Sequence, residues 1–419
     1  MYAQRVKILV YGERLRQQGQ STVFMRKVII LGSNPMTRLS LIRSVGEAID
    51  CEIIVIAMVF KLPKNRVRKP VDILSKYVDR LLYAQKYKAD ALSDLLLKKC
   101  TDPNEKPFLL STDDDSAFLI DTILDRLQPY FHCANIRNKQ GLLAQLMNKQ
   151  LQKQKAHEHG FRVTNSWVLE NKDGHYVIPD GITYPCYLKG LMSYHTMKCY
   201  QCRLDSREQL ENTLTHLSEQ YSYPMMVEEY LETEKEYGII GFCDGRECVI
   251  PGVAELLDSG HGWHKGVSAF GKIRKEDGEI TSKAKELVRS IGLFGLFNMD
   301  LAESNGKLYF IELNLRFAAY GYAFTKSGIN LPALLIRSTK EDVALGPNLS
   351  LSSEQSYINE KVALDDVVDG FRSIKEFKQL KANADIHLME SADDHRPYKA
   401  FIRETMLQYI KQRIKNVLR

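Results

Sequence analysis

Asn298-Met299-Asp300 and, eleven residues past the aspartate, Ile311-Glu312-Leu313-Asn314-Leu315-Arg316 decide the fold of this chain. Successive side chains of a strand point to opposite faces, so Glu312, Asn314 and Arg316 share one face and Ile311, Leu313 and Leu315 the other. Oxygen donors beside a guanidinium on one sheet surface suit a hard cation carrying a polyphosphate. Asp300 lies on the preceding strand, and the turn between the two strands decides whether it joins them. A two-residue turn at Asn305-Gly306 sets Asp300 on the face opposite Glu312. A three-residue loop, Ser304-Asn305-Gly306 with Gly306 in the left-handed region, restores the shared face. Asp300 then sits diagonally across from Glu312, with Cβ atoms about 7 Å apart. The three-residue loop is therefore the expected one.

The rest of the chain bounds this reading. With 419 residues there is material for two or three domains with real cores. A hydrophobic share of 44% and a charged share of 26% are those of an ordinary globular protein, which argues against a disordered or fibrous chain. No apolar run approaches the roughly 20 residues needed to cross a bilayer. Residues 1–24 have neither the apolar core of a secretory signal nor clear periodicity. Met25-Arg26-Lys27-Val28-Ile29-Ile30-Leu31-Gly32 reads as the start of a domain, so Met25 is taken as the natural start, or the segment before it as loosely packed. The net charge of +6 comes from interspersed signs, which gives no ground for nucleic-acid binding. Of eight cysteines only Cys199 and Cys202 form a C-x-x-C, with no second pair to complete a zinc site. Reduced thiols of a cytosolic protein are the expectation.

In the first part, Val28–Leu31, Ile53–Ala57 and Phe108–Leu110 read as buried strands, with Leu39, Leu41, Ile42 and Val45 marking an amphipathic helix between the first two. Strands alternating with helices predict a parallel sheet covered on both faces. Gly32-Ser33-Asn34-Pro35 follows the first strand but is not a G-x-G-x-x-G fingerprint, which disfavours a nicotinamide-dependent oxidoreductase. The acidic turn Asp113-Asp114-Asp115 reads as solvated charge at a helix start.

Further on, residues 139–160 read as a helix rich in Gln and Lys ending at Gly160, and Tyr184–Leu188 as a strand delivering Lys189. Ser206-Arg207-Glu208-Gln209 is a capping box ahead of a helix with Leu210, Leu214 and Leu217 inward. Met225–Val227 is a strand followed by Glu228-Glu229-Tyr230-Leu231, and Ile239–Phe242 with Cys248–Pro251 flank a hairpin turn at Asp244-Gly245. A helix at Lys283–Ile291 buries Ala284, Leu287, Val288 and Ile291 and stops at Gly292. Hairpins mixed with helices give this part an α+β character.

Ser259-Gly260-His261-Gly262-Trp263-His264-Lys265-Gly266 reads as a polar loop able to bind an acceptor carboxylate or cover a site, against the plainer reading of a mobile surface loop. Asn348–Gln355 reads as a linker. Phe401–Arg419 is a basic amphipathic helix in which Ile402, Met406, Ile410 and Ile414 form a docking stripe against the body, with contact to a membrane surface as the alternative.

Taken together and in order, these motifs resemble the ATP-grasp superfamily, the ligases that include biotin carboxylase, the carbamoyl-phosphate synthetase large subunit, D-alanine ligase and D-aspartate ligase. The resemblance covers roughly residues 140–340. The family's terminal motif, an acidic or amide residue and then a Glu-x-Asn-x-Arg strand, matches Asp300, Glu312, Asn314 and Arg316. It continues through Ala323–Pro332 much as in carbamoyl-phosphate synthetases. Two family lysines reach nucleotide phosphates: Lys149, eleven residues ahead of Gly160, and Lys189, after Tyr184-Pro185, stand in their places. Most lysines of so basic a helix face water, so Lys189, at the end of an apolar strand, is the better supported. Glu228, Glu229, Tyr230 and Leu231 match the hinge that receives adenine, and Glu236 matches the acid that binds ribose. The family's glycine-rich phosphate loop is replaced by Gly190–Lys198 with a single glycine. Lys198 and the Ser193 hydroxyl would supply its contacts; D-aspartate ligase-like members also have non-glycine loops at this place.

The resemblance implies a Rossmann-like pre-ATP-grasp α/β domain at 25–138. It is followed by a two-subdomain ATP-grasp fold of α/β and α+β character at 139–345, whose nucleotide clamp lies at about 184–230. A linker and helical C-terminal tail fill 346–419. The implied activity is Mg-ATP-dependent joining of a carboxylate to an amine through an acyl phosphate, with an amino acid as one substrate. Asp300, Glu312 and Asn314 would hold one or two Mg²⁺ ions, Mn²⁺ being an acceptable substitute, and Arg316 would be catalytic. The partners expected are small carboxylates and amines, not nucleic acid, and a homodimer is compatible with this reading. The expected location is cytoplasmic, including the periphery of the inner membrane face. A bicarbonate-using enzyme that makes a carbamoyl or carboxyl phosphate is the alternative, and a nucleotide-binding pseudoenzyme a further one.

Overall fold

The computed structural model describes residues 26–62, 69–195, 201–264, 266–275, 278–339 and 349–417. Residues 1–25, Lys198, Cys199, Lys265 and Asn348, to which the expectations above refer, lie outside the described residues.

The N-terminal layer is a parallel sheet. Strand β1 (Arg26–Gly32) pairs with β2 (Cys51–Val59), β2 with β3 (Arg80–Gln85), β1 with β4 (Phe108–Ser111) and β4 with β5 (His132–Cys133). The order is β3-β2-β1-β4-β5. Helices cover both faces, so Val28–Leu31 and Ile53–Ile56 are buried without alternation. Edge strand β3 has no such run: only Leu81, Leu82 and Ala84 are buried, between polar ends, which is why it carries no clear sequence signal. Helix α1 (Pro35–Ala48) starts where Asn34 accepts from the Met36 and Thr37 amides, with Pro35 at its first position.

Helix α2 (Asp114–Thr122) follows β4 and is capped by Asp113. The stretch 139–160 is not one helix. Asn148 leaves the helical conformation and caps α3 (Lys149–Glu158), accepting from the Gln150 and Leu151 amides. The cap fixes Lys149 as the first residue of the helix.

A four-stranded antiparallel sheet comes next: β6 (Ser166–Leu169), β7 (Cys186–Gly190), β8 (Cys202–Leu204) and β9 (Met225–Glu229), in the order β8-β7-β9-β6. Helix α4 (Arg207–Ser218) covers it through Leu210, Leu214 and Leu217. Ser206 caps the Gln209 amide as expected, but the Gln209 side chain accepts from Asp205, so only half of the capping box forms.

The third sheet is mixed. It contains β10 (Lys235–Asp244), β11 (Val253–Ser259), β12 (Ser268–Arg274), then, after helix α5 (Glu279–Ile291), β13 (Leu293–Ser304) and β14 (Lys307–Asn314), and finally β15 (Gln355–Ile358) and β16 (Ile386–His387). Its main path runs β14-β13-β10-β11-β12-β15-β16. The hairpin at Asp244-Gly245 forms, with Cys243 paired to Cys248. Helix α5 ends at left-handed Gly292 and buries the four predicted residues.

The C-terminal part carries helices, among them α6 (Glu360–Asp369) and α7 (His395–Val417), but it also adds β15 and β16 to the large sheet. Four residues after a polar run were too short to register as a strand. The buried pair Arg43–Asp394, at 3.0 Å, ties this part to α1. Of the expected docking stripe of helix α7 only Ile402 meets the body. Phe401 and Thr405 are buried, Tyr398 and Ile402 pack beside Leu39 and Met389, and Tyr409 packs beside Phe377. That face is offset from Met406, Ile410 and Ile414, which stay exposed. Among the described residues no helix is long and apolar enough to cross a membrane.

Candidate active site

The turn joining β13 to β14 is shorter than expected. Ser304 pairs with Lys307, leaving a two-residue turn in which Asn305 (φ 51°) and Gly306 (φ 64°) are both left-handed, as a type I′ hairpin requires. Strict alternation from that turn would set Asp300 opposite Ile311. Instead the register shifts: Leu301 pairs with Phe310 and Asp300 with Glu312, so Ile311 is the extra residue of a β-bulge. The three-residue loop was the wrong device for the right outcome. Asp300 faces Glu312 directly rather than diagonally.

Asn298 pairs with Asn314 one step along the same face. The Asn298 and Asn314 amides each donate to Asp300 at 2.8 Å. The Tyr320 hydroxyl donates to the Asn298 side-chain oxygen, and Gly238 leaves the room for it: a Cβ there would collide with that hydroxyl. Burial, and then the opposing Glu312, push the Asp300 carboxyl up to about 6. Glu312 goes the other way. Although burial opposes it, Lys149 and Lys189 hold its carboxyl down to about 2.

Helix α3 supplies the cations. Lys149 Nζ lies 3.2 Å from Glu312 and donates to Ser193 Oγ at 3.1 Å, while Ser193 donates to the same Glu312 oxygen at 2.8 Å. One turn further, Gln152 donates to the Leu313 carbonyl at 2.8 Å and accepts from its amide at 2.9 Å, splicing α3 to β14. Lys153, four residues after Lys149 and so on the same helix face, is buried. It meets one Glu228 oxygen at 2.5 Å, and Lys189 meets the other at 2.6 Å. The two lysines hold Glu228 down to about 2 against its burial. Sequence reasoning missed Lys153, because the tract Lys149–Lys155 is too basic for any one lysine to stand out. Its four-residue spacing from Lys149 was the available signal.

Arg316 donates to Asn314 Oδ1 at 3.1 Å, to the Phe317 carbonyl at 3.3 Å and to Asp114 at 3.4 Å. The Asp113-Asp114-Asp115 turn is therefore not merely solvated. Asp114 is turned inward, its carboxyl raised by burial, with its second oxygen and Arg316 Nε both buried without a hydrogen-bond partner among the described residues. Asp113 accepts from the Ser33 amide and hydroxyl and from the Asn34 amide, so the turn after β1 spends its amides on a carboxylate of the chain itself. Asp115 accepts from the His195 amide and lies 3.5 Å from Lys86.

In the hinge, the Glu229 carboxylate accepts from the Asn165 side chain at 2.7 Å, and the Tyr230 amide donates to the Pro185 carbonyl at 3.2 Å. Leu231 follows, half-buried, past the strand end. Glu236 is raised by burial. Through the pairs Gly238–Asp300 and Glu236–Ala302 it shares the face of Asp300. The loop of Ser259–Gly266 is held elsewhere: His264 lies 2.8 Å from Asp365, and His261 bonds Asp366, both on α6.

This face thus gathers three carboxylates (Asp300, Glu312 and Glu236), two amides, a guanidinium and, from α3 and β7, three ammonium groups. Oxygen donors of this kind fit a hard divalent ion, and the cations around them fit a polyphosphate.

No family model matches the chain. Over 128 residues it is 32% identical to the carbamoyl phosphate synthase large chain of Buchnera aphidicola, a match covering 29% of this chain and 12% of that protein. The corresponding large chain of Clostridium perfringens (strain 13) is 33% identical over 115 residues, 26% of this chain and 11% of that protein. The chain therefore spans only a small part of the length of these relatives. Among solved structures, L-amino acid ligase from Bacillus licheniformis superposes with TM-score 0.56 at 12% identity, covering 79% of each chain. N5-carboxyaminoimidazole synthetase from Staphylococcus aureus, complexed with ADP, gives 0.59 at 15%, covering 83% of this chain and 85% of that one. The biotin carboxylase domain dimer of Hydrogenobacter thermophilus 2-oxoglutarate carboxylase, in complex with MgADP, ADP and bicarbonate, gives 0.60 at 15%, covering 79% and 74%. The fold is that of the ATP-grasp ligases, as the order of motifs implied. In sequence, the chain is similar to carbamoyl phosphate synthase large chains.

Proposed function

We propose that the protein is an Mg²⁺-dependent ligase that uses ATP to activate a carboxylate and joins it to an amine, an amino acid being one substrate. The observation that carries this reading is the direct opposition of Asp300 and Glu312, with Lys149 on one side and Arg316 on the other. Asp300, Glu312 and Asn314 would hold one or two Mg²⁺ ions, or Mn²⁺ in their place. Bound there, the ion would neutralise phosphate charge and act as a Lewis acid.

The chain's own groups do the rest by position and charge. Lys149 and Lys189 exchange their glutamate partners for nucleotide phosphates, and Lys153 stays behind to keep Glu228 paired. Lys198 and Ser193 add phosphate contacts. The backbone from Glu228 and Glu229 to Tyr230 and Leu231 receives adenine, and Glu236 accepts from the ribose hydroxyls. A carboxylate oxygen of the substrate takes the γ-phosphoryl group and ADP leaves. The amine nitrogen then attacks the acyl carbon, phosphate departs, and the nitrogen gives up a proton. Arg316 stabilises the negative charge on the acyl phosphate and on the tetrahedral intermediate.

A second reading uses bicarbonate as the carboxylate. It is favoured by the sequence likeness to carbamoyl phosphate synthase large chains. A pseudoenzyme is disfavoured, because the oxygen-donor set and Arg316 are all present. The test is a screen for ADP release against amino acids, amines and bicarbonate, with mass spectrometry of any product. Stimulation by one acid–amine pair supports the ligase, and stimulation by bicarbonate the second reading. Protein that binds ATP yet responds to no pair would remove the first.

A further inference from the structure

Helix α7 carries a docked apolar face and, adjoining it, an exposed one. On the docked face, Tyr398, Phe401, Ile402 and Tyr409 pack against the body of the protein. The other consists of Met406, Leu407, Ile410 and Ile414, which are 62%, 47%, 52% and 54% exposed. Their three- and four-residue spacings join them into one continuous aliphatic strip along the helix. A contiguous apolar strip on an otherwise polar surface marks a contact site.

The charge beside the strip selects what covers it. From Met406 to Arg419 the sequence holds Lys411, Arg413, Lys415 and Arg419 and no acid. Lys411 is itself exposed. Net positive charge of this stretch in each copy would repel the other, so self-association is opposed. A negatively charged surface is required instead. The strip has methionine, leucine and isoleucine but no aromatic ring, whereas protein contacts are anchored by aromatic and arginine side chains in shaped pockets. Acyl chains need no pocket. An aliphatic strip in a segment whose sequence turns cationic from Lys411 onward is the pattern of a helix lying in a lipid headgroup layer.

We propose that α7 docks on the surface of a bilayer containing anionic phospholipid. Met406, Ile410 and Ile414 enter the boundary between headgroups and acyl chains, and the cationic stretch meets the lipid phosphates. The docked strip keeps the helix attached to the body, so the whole protein is carried to the surface. This inference stands apart from the activity proposed above, since none of these residues belongs to the candidate active site.

The experiment is co-sedimentation of the full chain with vesicles of phosphatidylcholine alone and of phosphatidylcholine mixed with phosphatidylglycerol. Binding is expected only to the mixed vesicles, and it should weaken as salt screens the charges. The double variant Ile410→Glu/Ile414→Glu should bind at least about tenfold more weakly, with unchanged melting temperature, because both side chains already face solvent. Failure to sediment with the mixed vesicles overturns the proposal, as does undiminished binding by the double variant. Self-association without vesicle binding, lost in the same variant, would assign the strip to a second copy. Capture by polyglutamate without vesicle binding would assign it to an acidic protein. Either outcome overturns the membrane assignment.

Discussion

Asp300 and Glu312 face each other across β13 and β14 because one extra residue, Ile311, separates the two halves of the hairpin register. A regular ladder from the Asn305-Gly306 turn would have turned the two carboxylates to opposite sides of the sheet. The bulge brings them together, and their proximity helps to raise Asp300 while Lys149 and Lys189 lower Glu312. Two carboxylates held so close, one of them reluctant to ionise, form a site poised for a cation.

The turn sets the register upstream of the bulge, and Gly306 sits at φ 64°. Gly306→Val places a β-branched residue where left-handed backbone costs roughly 1–2 kcal/mol. Urea denaturation should report a loss of that size, with Asn305→Gly nearly neutral. No loss in the valine variant would contradict a type I′ turn.

Gln152 holds β14 against α3 through both polar groups of Leu313. Gln152→Leu strands a buried amide and a buried carbonyl, which should cost about 2–4 kcal/mol in denaturant unfolding. The hairpin would loosen, so nucleotide affinity should fall together with stability.

Glu228 is shared by Lys153 and Lys189. Lys153→Met leaves the whole carboxylate charge to Lys189 and ties that lysine more tightly away from phosphate. The Michaelis constant for ATP should rise about tenfold or more, with a smaller change in kcat. An unchanged value would place Lys153 outside the nucleotide site.

His387 donates to Glu360 at 3.1 Å, and this bond raises its pKa above the ordinary 6.5 in spite of partial burial. Glu390, three residues past β16, also raises it, and Lys381 opposes both. A raised folded-state pKa stabilises the protein fully below the unfolded value, and that stability is lost as pH rises through the folded value. The melting temperature should therefore contain a component that declines from about pH 6 to pH 8. His387→Asn should remove that component; the same slope in the variant would refute the assignment.

Much of this was legible from local pattern. The buried parallel strands, the helix ending at Gly292 and the shared face of Glu312 and Asn314 follow from periodicity, whereas Arg316 lies past the end of β14 and reaches that face through its bond to Asn314. The bulge at Ile311 was not, because a two-residue period cannot reveal an inserted residue; only the ladder can. Lys153 was hidden by the lysines around it, and burial of an ammonium depends on Glu228, which is 75 residues away in sequence. Asp114 looked like helix-start charge until Arg316 arrived from β14's end. The docked face of α7 was misplaced because the sequence offers two apolar strips and does not say which one meets Leu39 and Met389.

The most direct test of the site is calorimetric titration of ATP, with and without Mg²⁺, into the wild-type protein and into Glu312→Gln. Wild type should bind ATP more tightly with Mg²⁺. The variant, with its near-ultraviolet spectrum still native, should lose about tenfold or more of that Mg²⁺-dependent gain, since it exchanges a charged ligand for a neutral amide. An equal Mg²⁺ effect in the two proteins would contradict the placement of the metal between Asp300 and Glu312.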